Sequence, residues 1–289
     1  MSETRSPDTG PPGTSSPGPR LADRLSSLVG ALVGLGLRSA EALREVGYAA
    51  ALAGEALMWL VIGWRRRQRV RLHQVFAQAM EVGVRALPIV SVLSLTIGVM
   101  LAIQGIHTLS QFGAESRVTT GIALSIVREF APLITGILVA GRSGSALAAR
   151  IGTMRISQEI DALKVIGIAP VRFLVTPPLV AMMVMVPCLT FWADLLALLG
   201  GGLYVQIDLG MSLGAYFERI LAVLTVDDLL HGLGKSAIFG LLITVIGVVN
   251  GARVTGGAEG VGRAATRAVV QSISALVIVD MLFVLLLTR

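Results

Sequence analysis

Cysteine is almost absent from this chain: Cys188 is the only one in 289 residues. That excludes a disulfide framework and any cysteine-based metal site. Cys188 lies in an apolar run and is expected to be a buried, inert thiol. Charge is scarce too, at 15% of residues against 54% hydrophobic, with a mean hydropathy of +0.79. Soluble domains carry roughly 25% charge, so the composition excludes an ordinary soluble protein. Aromatics are few (5%) and glycine is abundant (33 residues), as suits closely packed membrane helices. The net charge of +6 does not indicate nucleic acid. The basic residues cluster at the ends of apolar segments, and a basic face interleaved with aromatics is missing. No nucleophile–base pair or metal-ligand cluster points to an enzyme.

What is present is apolar length. A bilayer core of ~30 Å needs about 20 helical residues. Five runs qualify, at about 84–109, 118–141, 171–206, 228–252 and 264–288. The third is long for one straight span. Pro177, Pro178 and Pro187 are expected to kink it, or part of it lies along the surface. Residues 46–64 are also nearly long enough, but Glu55 sits at their centre and arginines flank both ends. An interfacial helix on the cytoplasmic leaflet fits better than a crossing. The shorter run 21–37 reads the same way. Residues 1–20, rich in Pro, Ser and Gly, read as a disordered tail without the apolar core of a signal peptide. The expected organisation is therefore a tail (1–20), interfacial or elbow helices (21–83) and a transmembrane domain (84–289).

Orientation follows from basic residues. Arg65, Arg66, Arg67, Arg69 and Arg71 precede span one. Arg142, Arg150, Arg155, Lys164 and Arg172 lie between spans two and three, and Arg253, Arg263 and Arg267 between four and five. The other side holds Arg117 and Arg219 with Glu115, Asp208, Glu218, Asp227 and Asp228. The positive-inside rule places the N-terminus in the cytoplasm. No internal repeat is visible, so an inverted-repeat transporter is not supported.

Four ionisable residues stand out within the spans: Arg128, Glu129, Lys235 and Asp280. Glu129 lies ~16 Å from the outer end of its span, Lys235 ~10 Å and Asp280 ~12 Å, at 1.5 Å per residue. Opposite charges at matching depth are expected to pair, Arg128 or Lys235 with Glu129 or Asp280. The set reads either as salt bridges that fix helix packing or as a polar patch lining an outward-open cavity, which Gln104 and His107 would join. Two stretches imitate nucleotide sites. The segment from Gly232 to Ser236 (GLGKS) lacks the glycine that a phosphate-binding loop needs at position 229, which is Leu. The segment from Gly260 to Ala265 (GVGRAA) has no surrounding βαβ unit. If ATP drives this protein, another chain hydrolyses it.

Residues 128–170 carry a family resemblance. REFAP (128–132), AGRSGSALAARIGTMR (140–155), QEIDAL (158–163) and IGIAP (166–170) resemble the signature of the MlaE/YrbE family, the permeases of Mce-type ABC lipid transporters. The similarity runs over about 56–289 and includes Gln104 with Gly105, Lys235 with Ser236, Asn250 with Gly251, GVGRAATRAVV (260–270) and Asp280. The resemblance implies a homodimer with an N-terminal interfacial helix and five transmembrane helices. It implies a bacterial inner-membrane location, a cytoplasmic ATPase that holds ATP and magnesium, an Mce-domain protein on the outer face and, in some systems, a STAS-domain protein. The cargo would be phospholipid or a related lipid. A coupling helix would fall at 152–167, with Arg150, Arg155, Glu159, Asp161 and Lys164 as contacts to the ATPase. Arg150 departs from the family pattern, where an acidic residue is common; it would alter that contact or strengthen cytoplasmic anchoring. The lipid cavity would use Arg128, Glu129, Lys235, Asp280 and Gln104, and Gly136, Gly141 and Gly144 would let helices approach closely. The competing readings are an ion-coupled secondary transporter using Glu129 and Asp280 as proton carriers, and a membrane scaffold that moves no lipid.

Overall fold

The computed structural model describes residues 72–114 and 117–287, with scattered positions between 47 and 58. The tail 1–20 and the run 21–37 lie outside the described residues, as does much of 46–64. The described positions of 46–64 are helical, and Leu52 and Ala56 belong to the buried core. Among the described residues there is no strand. Among the described residues, five helical runs are long and apolar enough to cross a membrane: His73–Ser110, Val118–Ile156, Val171–Leu209, Val226–Ala252 and Gly257–Leu286. The protein is an all-α, multi-pass membrane protein with the five spans expected.

Each run is built from shorter elements. Helix α1 (Leu72–Val82) turns through Val84–Ala86 into α2 (Leu87–Ser110). The second run strings α3 (Val118–Ser125), a π turn (Ile126–Phe130), α4 (Ala131–Val139), a second π turn (Ala140–Gly144) and α5 (Ser145–Ile156). A short helix, α6 (Glu159–Val165), follows. The third run is a π turn (Val171–Val175) and α7 (Thr176–Leu209). Helix α8 (Leu213–Val223) lies between spans, and α9 (Val226–Ala252) and α10 (Gly257–Leu287) complete the chain.

Three boundaries differ from expectation. The first run begins at His73, not near 84, because α1 continues into α2 through Val84–Ala86. The second span does not stop near 141; its small-residue cluster lies inside the continuous helical run. Small residues in membrane helices serve close packing more than chain breaking. The fifth span begins at Gly257, not near 264, because Gly256 and Gly257 take φ of 85° and 71° and make the turn there. In the third span, Pro177 and Pro178 open α7 directly after the π turn Val171–Val175, within the continuous run Val171–Leu209, and Pro187 lies inside α7.

Helix α7 is the centre of the bundle and packs on α1, α2, α4 and α9. Backbone meets backbone along its glycines. A Cβ on Gly98 would sit 1.9 Å from the carbonyl oxygen of Ala197, and one on Gly200 would sit 2.4 Å from that of Leu95. The next two glycines form a notch for α8: a Cβ on Gly202 would come within 2.8 Å of the Tyr216 ring. Cys188 corrects the expectation of a buried thiol, since it is exposed on α7. In a helix apolar on every side, the sequence does not show which face meets a neighbour.

Candidate functional site

The site starts from Pro132. Proline lacks the N–H that an α-helix would direct at the carbonyl four residues back, which here belongs to Arg128. The chain passes this point in the π turn Ile126–Phe130; such turns often mark functional positions. The Arg128 carbonyl accepts a hydrogen bond from Lys235 Nζ of α9 at 2.9 Å. The same Nζ donates to Glu129 Oε2 at 2.7 Å and lies 2.9 Å from Asp280 Oδ1 of α10. Lys235 is fully buried. Two of the three ammonium donors are used in these hydrogen bonds, and Asp280 Oδ1, which carries no hydrogen bond, is an ion-pair neighbour.

Arg128 takes a different partner. Its Nε donates to Asp228 Oδ1 at 2.6 Å, and Nη2 pairs with the same oxygen. Asp228 is buried in the first turn of α9, where it forms a capping box with Thr225: the Thr225 N–H donates to Oδ2 at 2.9 Å and its hydroxyl at 2.8 Å. The helix cap and the arginine clamp are thus one residue. Close approach makes this possible. A Cβ on Gly232 would lie 2.3 Å from the carbonyl oxygen of Val127, so only glycine lets α9 touch the π turn there. Gly232 is the first residue of the stretch that imitated a phosphate loop; its role is contact between helices.

Lys235 therefore pairs with both Glu129 and Asp280, while Arg128 pairs with neither. Asp228, expected in the outer loop, is its partner. The signal was in the sequence, as Thr225 and Asp228 have the spacing of a capping box. Asp194 on α7 is a further acidic residue inside a span, not among the four expected. It is buried, and its Oδ1 has no hydrogen-bond partner. Gln104 and His107 are exposed on α2, which packs chiefly on α7 and α3, and neither hydrogen-bonds to the cluster.

A family model described as Permease MlaE matches residues 75–286. The chain belongs to the MlaE permease family. Among relatives, it is 36% identical over 206 residues to a probable ABC transporter permease protein of Rickettsia felis, covering 71% of this chain and 80% of that protein. It is 32% identical over 237 residues to the intermembrane phospholipid transport system permease protein MlaE of Haemophilus influenzae, covering 81% and 88%. It is 31% identical over 229 residues to protein TRIGALACTOSYLDIACYLGLYCEROL 1, chloroplastic, of Arabidopsis thaliana, covering 79% and 64%.

In this MlaE-family permease the other expected residues fall at α4 to α6. Gly136 and Gly144 face neighbours: a Cβ would meet Phe239 at 3.0 Å and Ile243 at 2.9 Å. Gly141 is exposed, with nothing within 4 Å, so it does not tighten packing within the chain. Arg150 Nη2 donates to Gln78 Oε1 of α1 at 3.1 Å, tying α5 to α1. Asp161 accepts from Lys164 at 2.9 Å and from Arg155 at 3.2 Å, while Glu159 accepts from the Ser157 hydroxyl at 2.8 Å. The hydrogen bond and charge of Lys164, with Arg155 behind them, hold the Asp161 carboxyl below its ordinary pKa. Beyond these local pairs the tip is apolar and open: Val165 is 87% exposed and Ile166 67%.

Proposed function

We propose that this chain is the permease subunit of an ABC transporter that moves phospholipid or a related lipid between the inner membrane and the cell envelope. A separate ATPase subunit powers it, and it works as a homodimer with an Mce-domain protein on the outer face. One observation carries the reading. Arg128 and Glu129 sit within a membrane-length helix, yet their side chains are 51% and 35% exposed on the protomer. Charges at that depth do not face hydrocarbon; they face a cavity or another polypeptide. Two copies packed about a shared cavity would meet that requirement, with lipid tails against apolar walls and the headgroup at Arg128 and Glu129.

The tip formed by α5 and α6 is the proposed contact with the ATPase. Its exposed Val165 and Ile166 suit an apolar groove, and Glu159 with Lys164 would sit at the rim. The N-terminus would then be cytoplasmic, as the basic loops indicate. The Haemophilus influenzae relative, named for intermembrane phospholipid transport, supports the cargo class.

The test is a mild-detergent pull-down of the tagged full chain from its native host, with proteins and lipids identified by mass spectrometry. Recovery of an ABC ATPase, an Mce-domain protein and stoichiometric lipid is expected. Intact, monodisperse protein without an ATPase would sink the reading. In the same assay, Val165→Asp combined with Ile166→Asp is expected to lose the ATPase and keep the lipid.

A further inference from the structure

The five charges of the polar site are not equally available to a ligand. Lys235 is fully buried; its ammonium donates to Arg128 O and Glu129 Oε2 and lies beside Asp280 as an ion pair. It braces the site and, being buried, is closed to a ligand. Asp228 is committed to Arg128 and to the cap of α9. What remains open is one edge of each exposed member. Arg128 uses Nε and Nη2 on Asp228, which leaves Nη1. Glu129 uses Oε2 on Lys235, which leaves Oε1. Two adjacent, partly exposed residues therefore each keep one unused polar edge, a donor on Arg128 and an acceptor on Glu129. The formal charge of the cluster counts against an acidic ligand, since two cations (Arg128, Lys235) stand against three carboxylates (Glu129, Asp228, Asp280), a net of −1 for these five residues.

Taking the lipid-permease reading above as its base, we infer that this site selects lipids whose headgroup carries both a phosphate and a positively charged amine, over acidic lipids and uncharged sterols. The phosphate oxygens accept from Arg128 Nη1, and the headgroup ammonium donates to Glu129 Oε1. A phosphatidylglycerol headgroup satisfies the arginine through its phosphate and offers Glu129 neutral hydroxyls in place of a cation, a weaker partner for a carboxylate. A sterol hydroxyl satisfies one of the two groups and leaves the other unpaired at membrane depth, which is costly.

The experiment uses the purified full chain in detergent, incubated with mixed micelles of equimolar phosphatidylethanolamine, phosphatidylglycerol and cholesterol. Retained lipid is quantified by mass spectrometry. Phosphatidylethanolamine is expected to be enriched about two- to fivefold over phosphatidylglycerol, the range that one partly exposed ion pair supports. Glu129→Gln is expected to bring the ratio to about one while lipid is still retained. Because that variant also loosens Lys235, the amine is tested from the ligand side as well. N-acetylated phosphatidylethanolamine, which keeps the phosphate and loses the cation, is expected to lose its enrichment on the unaltered protein. Lipid retained without preference, or with preference for the acidic or uncharged lipid, overturns the inference and leaves the permease reading standing. No lipid retained at all overturns both.

Discussion

Two lysine–aspartate pairs in this protein have the same length and opposite weight. Lys235 lies 2.9 Å from Asp280, and Lys164 lies 2.9 Å from Asp161. The first pair is 0% and 14% exposed and joins α9 to α10; the second is 57% and 51% exposed and lies within one short helix. Distance alone says nothing about what either pair does. In the first, burial makes each charge dependent on its partners, because removing one leaves the others unpaired in a medium of low dielectric. In the second, water replaces a lost partner, and exposed pairs contribute little. The Lys235 site is thus a brace with two open edges, and the α6 tip is a surface whose charges are locally paired and whose apolar residues stand free.

The contrast can be broken most sharply at Lys235. Lys235→Met leaves Glu129 and Asp280 without their cation and is expected to cost about 3–5 kcal/mol, read by denaturation in detergent. Adding Glu129→Gln and Asp280→Asn should recover most of the loss. If the single variant is as stable as the unaltered protein, the brace is not one. Gly232→Ala comes next. Its methyl would sit against the Val127 carbonyl, with an expected cost of about 1–3 kcal/mol, whereas Gly141→Ala, in open space, should change stability little. Comparing the two melting temperatures checks this.

Tyr216 sharpens the comparison from another side. It is fully buried, its hydroxyl has no hydrogen-bond partner, and burial pushes its pKa up to about 12. Tyr216→Phe removes a desolvated polar atom and keeps the ring over Gly202; stability should stay the same or rise by up to about 1 kcal/mol. A marked fall would mean that the hydroxyl is bonded after all.

The smallest effect is expected at the tip. Lys164 and Arg155 hold Asp161 below its ordinary pKa. A carboxyl with a lowered folded pKa stabilises above its unfolded value, about 3.9, and that contribution disappears as pH falls through the folded value. Amide exchange in α6 should therefore show no change of protection between pH 5 and 8. Protection should weaken only below about pH 4. A transition near neutrality would contradict the pairing.

Much of the fold was legible because a bilayer makes apolar length a direct signal. Span number was readable for that reason, whereas span ends were not. Gly141, Ser143 and Gly144 look like a break to a reader of soluble proteins, yet the helix carries on through them to Ile156. The four charges Arg128, Glu129, Lys235 and Asp280 were visible because each interrupts an apolar run, and by the same rule Asp194 should have been. Asp228 was hidden by its position at a helix end, where an acid reads as a cap and a loop residue. Cys188 was misread because periodicity vanishes where every face is apolar.

The sequence by itself determined the class, the span count and the family, since these depend on local composition and on a motif contiguous in the chain. It also placed Pro132 where a carbonyl would be left without its helical donor. Only the tertiary structure decided which group answers that carbonyl, that Lys235 is buried between Glu129 and Asp280, and that Arg128 turns to Asp228. Those choices join residues about a hundred positions apart, through a helix contact that hangs on the missing side chain of Gly232. Pairing of charges across helices is set by depth, rotation and closeness of approach, and none of these is a property of one stretch of chain.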